Sequence, residues 1–312
     1  MNRRKSTNTR HRTVVSLLIG FLSGAGLVVL LGPSASSSPL SIFTVSPPAL
    51  RGRSVALFAA VSERAGVVAR AVRAGQPTAL APVGALVAWG GVPTLVFAGF
   101  TPSIIRVKAE LARTFPGMRA ESGGSQFAKT SLGALCPEEN CTLTVAELKA
   151  LRAVCATFAA RIARDAWVLP IDDLQFSLYG DRAQRASTRL LTLPLPFSKS
   201  TSSSLSETAG AAARQHAAEV ARPFMEGDLT AYHAKAARGN RLPHYQQRHL
   251  GASLVAFWPC YAGGRAAVGG AACAPPWLAQ LRREFDAAAP NKFTWFDDGD
   301  LHVTIRGLFQ LP

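Results

Sequence analysis

The chain has 312 residues, 48% of them hydrophobic and 17% charged, a balance that excludes extended disorder and suits one sizeable core or two small ones. A formal charge of +15 suggests a nucleic-acid coat, but its distribution excludes one. Residues 1–83 hold ten Lys or Arg against one acid, Glu63, a surplus of +9, and the other 229 residues hold 24 against 18, a surplus of +6. The folded part keeps only enough positive charge to steer an anionic ligand.

The leader comes first. "MNRRKSTNTRHR" is basic and acid-free, residues 13–32, "TVVSLLIGFLSGAGLVVLLG", carry no charge, and "PSASSSP" follows. This order describes a signal peptide over residues 1–40 or, since about 20 apolar residues can span a bilayer, an uncleaved signal anchor. Residues 41–87 contain an Arg- and Ala-rich stretch with a single acid, as in organelle transit peptides or an amphipathic linker helix. The expected location is a membrane or the secretory pathway, including an organelle reached through it. Residues 13–32 are the membrane contact if they are not removed. A second uncharged run extends from Gly75 to Ile105, but Pro82, Gly84, Gly90, Gly91 and Pro93 argue against a helix there. "PTLVFAGF" reads instead as a buried strand opening a folded domain over 88–312.

Strands and helices then alternate. The pattern predicts a helix over 101–115, with Pro102 near its start and Ile105, Val107, Leu111 and Phe115 as its apolar positions. It predicts a strand over 127–135, and a helix over 144–164 opened by a capping box of Thr144 and Glu147. Leu174, Phe176 and Leu178 alternate with polar neighbours in a further strand. Residues 198–208 form a Ser-rich loop, 209–224 a helix, 239–249 an irregular polar segment, 250–258 a buried strand and 275–289 a helix. Two strands, 293–296 and 301–309, finish the chain around "DDGD". This order predicts an α+β fold, two-lobed, with mixed sheets flanked by helices.

The five cysteines, Cys136, Cys141, Cys155, Cys260 and Cys273, include no Cys-x-x-Cys pair, which disfavours a zinc cage. In an oxidising compartment Cys136–Cys141 and Cys260–Cys273 can each close a local loop; otherwise all five are thiols. Asn140 opens a glycosylation sequon that matters only in the secretory route. The acids of "DDGD" lack the spacing of a calcium loop, and neither a metal nor an organic cofactor is expected.

Two short segments carry the chemistry. In "LHVTIRGL", strand alternation puts His302, Thr304 and Arg306 on one face: an imidazole, a hydroxyl and a guanidinium that can bind phosphate and move a proton. In "AKTSLGAL", Lys129 and Ser131 share a face in the same way. His244 and His249 lie before a strand, where either can line a groove or simply face solvent; His216 and His233 read as surface residues.

The paired pattern resembles the 2H phosphoesterase superfamily, the LigT-like and cyclic nucleotide phosphodiesterase proteins, whose two His-x-Thr/Ser motifs sit on strands of two pseudo-symmetric lobes. "LHVTIRGL" is similar to the second motif and "AKTSLGAL" to the first, with Lys129 where the family has His. The text over residues 88–312 also resembles a plant and algal branch labelled RNA ligase/cyclic nucleotide phosphodiesterase. The resemblance implies catalytic roles for His302 and Lys129, and phosphate binding by Thr304 and Ser131, with Arg306 beside them. It implies a monomer that hydrolyses a 2′,3′-cyclic phosphate or a similar small phosphodiester, a nucleotide or an RNA end. The lysine leaves two alternatives: a degenerate module that binds such ligands without cleaving them, and a membrane-tethered protein with no phosphate site.

Overall fold

A computed structural model of the chain describes residues 16–22, 25–31, 43–45, 64–115, 118, 120–121, 126–136, 141–185, 187–196, 208–237, 241–246, 251–258 and 274–310. It divides into two compact units, Met1–Ser62 and Glu63–Pro312.

The first unit contains a three-stranded antiparallel sheet. Strand β1 (Ser16–Leu22) pairs with β2 (Ala25–Leu31), and β3 (Phe43–Val45) pairs with β2. The apolar segment 13–32 thus carries two strands. Its glycines disfavour a helix, and the Val/Leu-rich run after Gly26 suits extended backbone. No helix among the described residues is long and apolar enough to cross a membrane.

The second unit is α+β, with antiparallel sheets. It opens with a helix, α1 (64–72), followed by β4 (Thr78–Leu80), β5 (Pro82–Ala88) and β6 (Val92–Phe97). The 41–87 segment therefore supplies a helix and two strands to the folded unit, which begins well before residue 88. Proline and glycine argue against a helix here, yet β5 tolerates Pro82 at its first position, where no ladder donor is needed.

Helix α2 (Pro102–Thr114) starts on its proline, and its buried stripe is Ile104, Val107 and Leu111, spaced i, i+3, i+7. Ile105 is 47% exposed, one position off the stripe expected from sequence. The expected strand 127–135 is two strands, β7 (Lys129–Ser131) and β8 (Gly133–Leu135), which pair in different sheets.

Helix α3 (Val145–Asp165) has the expected capping box: Glu147 N–H donates to Thr144 Oγ1, and Thr144 N–H donates to the Glu147 carboxylate at 2.6 Å. After it come β9 (Leu169–Ile171), β10 (Asp173–Tyr179), β11 (Ser187–Pro194), α4 (Ala211–Met225), α5 (Leu229–Ala236), α6 (Arg241–Gln246) and β12 (Gly251–Phe257). Helix α7 (Pro276–Ala288) leads to β13 (Phe293–Trp295), a 3-10 turn over Asp298–Asp300, and β14 (His302–Gln310). The segment read as irregular, 239–249, contains α6. Most of the Ser-rich loop, His249, Asn140, Cys260 and Cys273 lie outside the described residues.

Two sheets frame the unit, one in the order β5-β6-β7 and the other β11-β10-β12-β14. Strands β4 and β9 form a two-stranded pair, as do β8 and β13. Helices α3 and α4 pack on β5, and α2 packs on β14. Gly99 has φ +120, and a Cβ there would lie 2.8 Å from the Ala213 carbonyl oxygen. Only glycine lets α4 approach the end of β6 so closely. Cys136 and Cys141 are thiols that donate to consecutive carbonyls, Asn291 O at 3.5 Å and Lys292 O at 3.3 Å; Cys155 is buried in α3.

Candidate functional site

Strands β7 and β14 are the edges of the two main sheets, and they meet. Alternation along β7 turns Thr130 to the side opposite Lys129 and Ser131. Thr130 is 1% exposed. Its hydroxyl donates to the His302 carbonyl at 3.1 Å and accepts from Trp258 Nε1 at 3.3 Å. One buried hydroxyl thus ties the strand of Lys129 and Ser131 to the first residue of the strand of His302 and Thr304, 172 positions away in sequence.

Register fixes which side chains share a face, because directly opposed residues of antiparallel strands point the same way. Ser177, Ser253 and Gly307 form one row, Gln175, Val255 and Thr304 the next, and Phe257 with His302 the third. The His302 ring centroid lies 5.6 Å from that of Phe257. Its Nδ1 is 2.7 Å from the Asp300 carbonyl. A carbonyl can only accept, so Nδ1 carries the hydrogen, and in the neutral ring Nε2 carries the lone pair. Thr304 is exposed on the same face.

Arg306 does not join them. A register shift pairs Thr304 with Val255 but Arg306 with Leu254. Val255 and Leu254 point to opposite faces, so the extra residue, Ile305, turns Arg306 to the core side. There Arg306 is 8% exposed, with Nη1 3.2 Å from Glu121 Oε1 and Nε 3.3 Å from Met118 Sδ. The sequence alternation that put His302, Thr304 and Arg306 in one row fails at this bulge, which no residue in the strand announces.

Lys129 Nζ lies 4.2 Å from the centre of the Phe127 ring. Burial, and secondarily the charge of Lys108, lower its pKa to about 8. At neutral pH most Lys129 ammoniums keep a proton that is easier to release than an ordinary lysine's. Ser131 Oγ lies 3.0 Å from the Tyr245 hydroxyl, whose pKa burial raises. Tyr245 sits on α6 beside His244, and Arg182 Nη1 donates to His244 Nε2 at 2.8 Å. In that arrangement His244 is an acceptor and does not take the place of Lys129.

The turn after β10 joins these groups to the sheet face. Gln184 Nε2 donates to Ser253 Oγ at 3.2 Å, and Ser177 Oγ donates to Gln184 Oε1 at 2.9 Å. Ala183 N–H donates to the Tyr245 carbonyl at 3.1 Å. Arg182, Tyr245 and Ser131 are therefore linked to the face that bears Thr304 and His302. On that face Gln175 is 5% exposed, and its Oε1 has no hydrogen-bond partner among the described residues.

Of the five residues singled out in the sequence, Lys129, Ser131, His302 and Thr304 lie on two joined strands, and Arg306 lies on the far side of β14. Sequence reasoning missed Thr130, Gln175, Arg182 and Tyr245. The aromatic between two polar runs in "PHYQQRH" was the one available signal. The described residues contain no group of three or more His, Cys, Asp or Glu placed to hold a metal. Compared with protein-family models, with curated proteins and with solved structures, the chain matches none.

Proposed function

We propose that the chain is a cyclic-phosphodiesterase-like hydrolase of the 2H type, acting on a 2′,3′-cyclic phosphate or a similar small phosphodiester. The observation that carries this reading is the joint at Thr130, which holds the Lys129–Ser131 strand against the His302–Thr304 strand. In this reading two proton-moving groups, His302 and Lys129, and two hydroxyls serve one phosphoryl group. His302, with its Nδ1 hydrogen on the Asp300 carbonyl, is the base at Nε2. Water attacks phosphorus, its proton passes to Nε2, and the bond to the 2′ or 3′ oxygen breaks in line. Lys129 gives its proton to the leaving oxygen, a role that a pKa of about 8 suits better than an ordinary lysine's. Ser131, oriented by Tyr245, and Thr304 donate to the non-bridging oxygens. Proton exchange with water resets both groups.

A second reading is favoured by the lysine itself: a module that binds cyclic phosphates without cleaving them. Incubation of the full chain with 2′,3′-cyclic AMP, followed by product analysis, separates the two. Turnover lost in His302→Ala supports the enzyme. Saturable binding without turnover in the wild type supports the module, and neither binding nor turnover removes both.

A further inference from the structure

The Asp300 carbonyl that accepts from His302 Nδ1 at 2.7 Å belongs to the 3-10 turn Asp298–Asp300. A carbonyl in a turn holds an imidazole only if the turn itself is held. Within it, Asp300 N–H donates to the Asp297 carbonyl at 2.9 Å and Leu301 N–H to the Asp298 carbonyl at 3.3 Å. Backbone bonds fix its two ends: Phe296 N–H donates to the Leu132 carbonyl at 2.9 Å, and Trp258 N–H to the Leu301 carbonyl at 3.0 Å. Between these anchors Asp297 and Asp298 are exposed.

The side chain that grips this stretch comes from α7. Arg282 Nη1 donates to Asp298 Oδ1 at 2.7 Å, and Nη2 donates to the Phe296 carbonyl at 2.8 Å. The same guanidinium lies 5.7 Å from the centre of the Trp295 ring. The Arg282 side chain is 19% exposed and that of Asp298 46%. An exposed ion pair by itself contributes little. Here the planar fork takes two acceptors, one on each side of Asp297, and so fixes the distance between them. Phe296, one of the two gripped residues, also packs against Tyr245 with ring centroids 5.2 Å apart, and Tyr245 bonds Ser131.

We propose that Arg282 is a positioning residue for His302. By tying Asp298 to the Phe296 carbonyl it holds the turn in the shape that presents the Asp300 carbonyl to Nδ1, and so keeps the ring's lone pair on Nε2. The use of Nε2 as a base rests on the hydrolase reading; the tautomer does not. Without the clamp the Asp300 carbonyl loses its fixed place, and the hydrogen divides between the two ring nitrogens. An ion pair of purely structural value would change the melting temperature and leave the tautomer alone.

The test is heteronuclear NMR of the imidazole nitrogens in the full chain, at a pH where the ring is neutral, with the His302 signals identified by their loss in His302→Ala. The wild type should carry the hydrogen on Nδ1. Arg282→Ala and Asp298→Ala should each move His302 to a mixture of tautomers, and the double variant should go no further than either, because both changes break one contact. Arg282→Lys, whose ammonium cannot hold both acceptors in the same geometry, should fall between wild type and Arg282→Ala. Asp298→Ala changes an exposed position, so it decides the matter if Arg282→Ala fails to fold. In the same variants kcat for 2′,3′-cyclic AMP should fall about tenfold, with KM near wild type. Hydrogen on Nε2 in the wild type, or on Nδ1 in every folded variant, would overturn the proposal. A wild type without turnover removes the hydrolase reading, and the tautomer measurement then decides on Arg282 alone.

Discussion

The two faces of β14 treat charge in opposite ways. On one, His302 is half-buried, Thr304 is exposed, and the neighbouring rows hold neutral polar groups, Ser177, Ser253 and Gln175. On the other, Arg306 is 8% exposed in a cluster with Glu121 and Lys108. The first face leaves Thr304 open to solvent. The second holds permanent charge that costs stability unless it is compensated. A single extra residue, Ile305, separates them by reversing which side of the sheet the next side chain meets.

The largest effect tests the first face. His302→Ala should cut turnover of 2′,3′-cyclic AMP by about 100-fold or more, the scale of a lost general base, with the melting temperature close to wild type. Equal losses in His302→Ala and Arg306→Ala, both folded, would erase the distinction between the faces. Next in size, Glu121→Gln should destabilise the fold by about 2–3 kcal/mol in urea unfolding, because it leaves Lys108 and Arg306 buried without their carboxylate. A neutral result would mean that solvent or another group already balances them.

Lys129 lies close enough to Lys108 of the second face to feel its charge, and its pH dependence sharpens the comparison. Its folded pKa, about 8, lies below the ordinary 10.5. Between these values the folded state binds fewer protons than the unfolded one, so this group's contribution to stability rises with pH from about 8 to 10.5 and is a full penalty at pH 7. Lys129→Met should therefore be more stable than wild type at pH 7, by about 1–2 kcal/mol after allowance for solvent screening. That advantage should shrink by pH 10, and a constant advantage would refute the assignment. The smallest effect is expected from Tyr245→Phe. Loss of its bond to Ser131 should cost about 1 kcal/mol, read as roughly a fivefold fall in turnover with little change in stability.

Much of the local structure was legible in the chain. The Thr144–Glu147 box starts α3 as its residues dictate, Pro102 opens α2, and the alternation of Leu174, Phe176 and Leu178 gives β10. These are features in which neighbours in sequence satisfy each other. Misreadings arose where partners are remote. Strand 127–135 splits because β7 and β8 find different partners, and α6 forms in polar text around a tyrosine packed against Phe296 and bonded to Ser131. The 41–87 stretch joins the folded unit because β4 pairs with β9, some 90 residues later.

The sequence by itself determined the α+β character and the candidate residue types: an imidazole and hydroxyl on one strand, an ammonium and hydroxyl on another. Period-2 patterning and side-chain chemistry are local properties, readable without a fold. Only the tertiary structure decided that those strands touch, that Thr130 joins them, and that Arg306 turns away to meet Glu121. Each of these depends on pairing register and on packing between residues more than a hundred positions apart, and a chain records neither until it is folded.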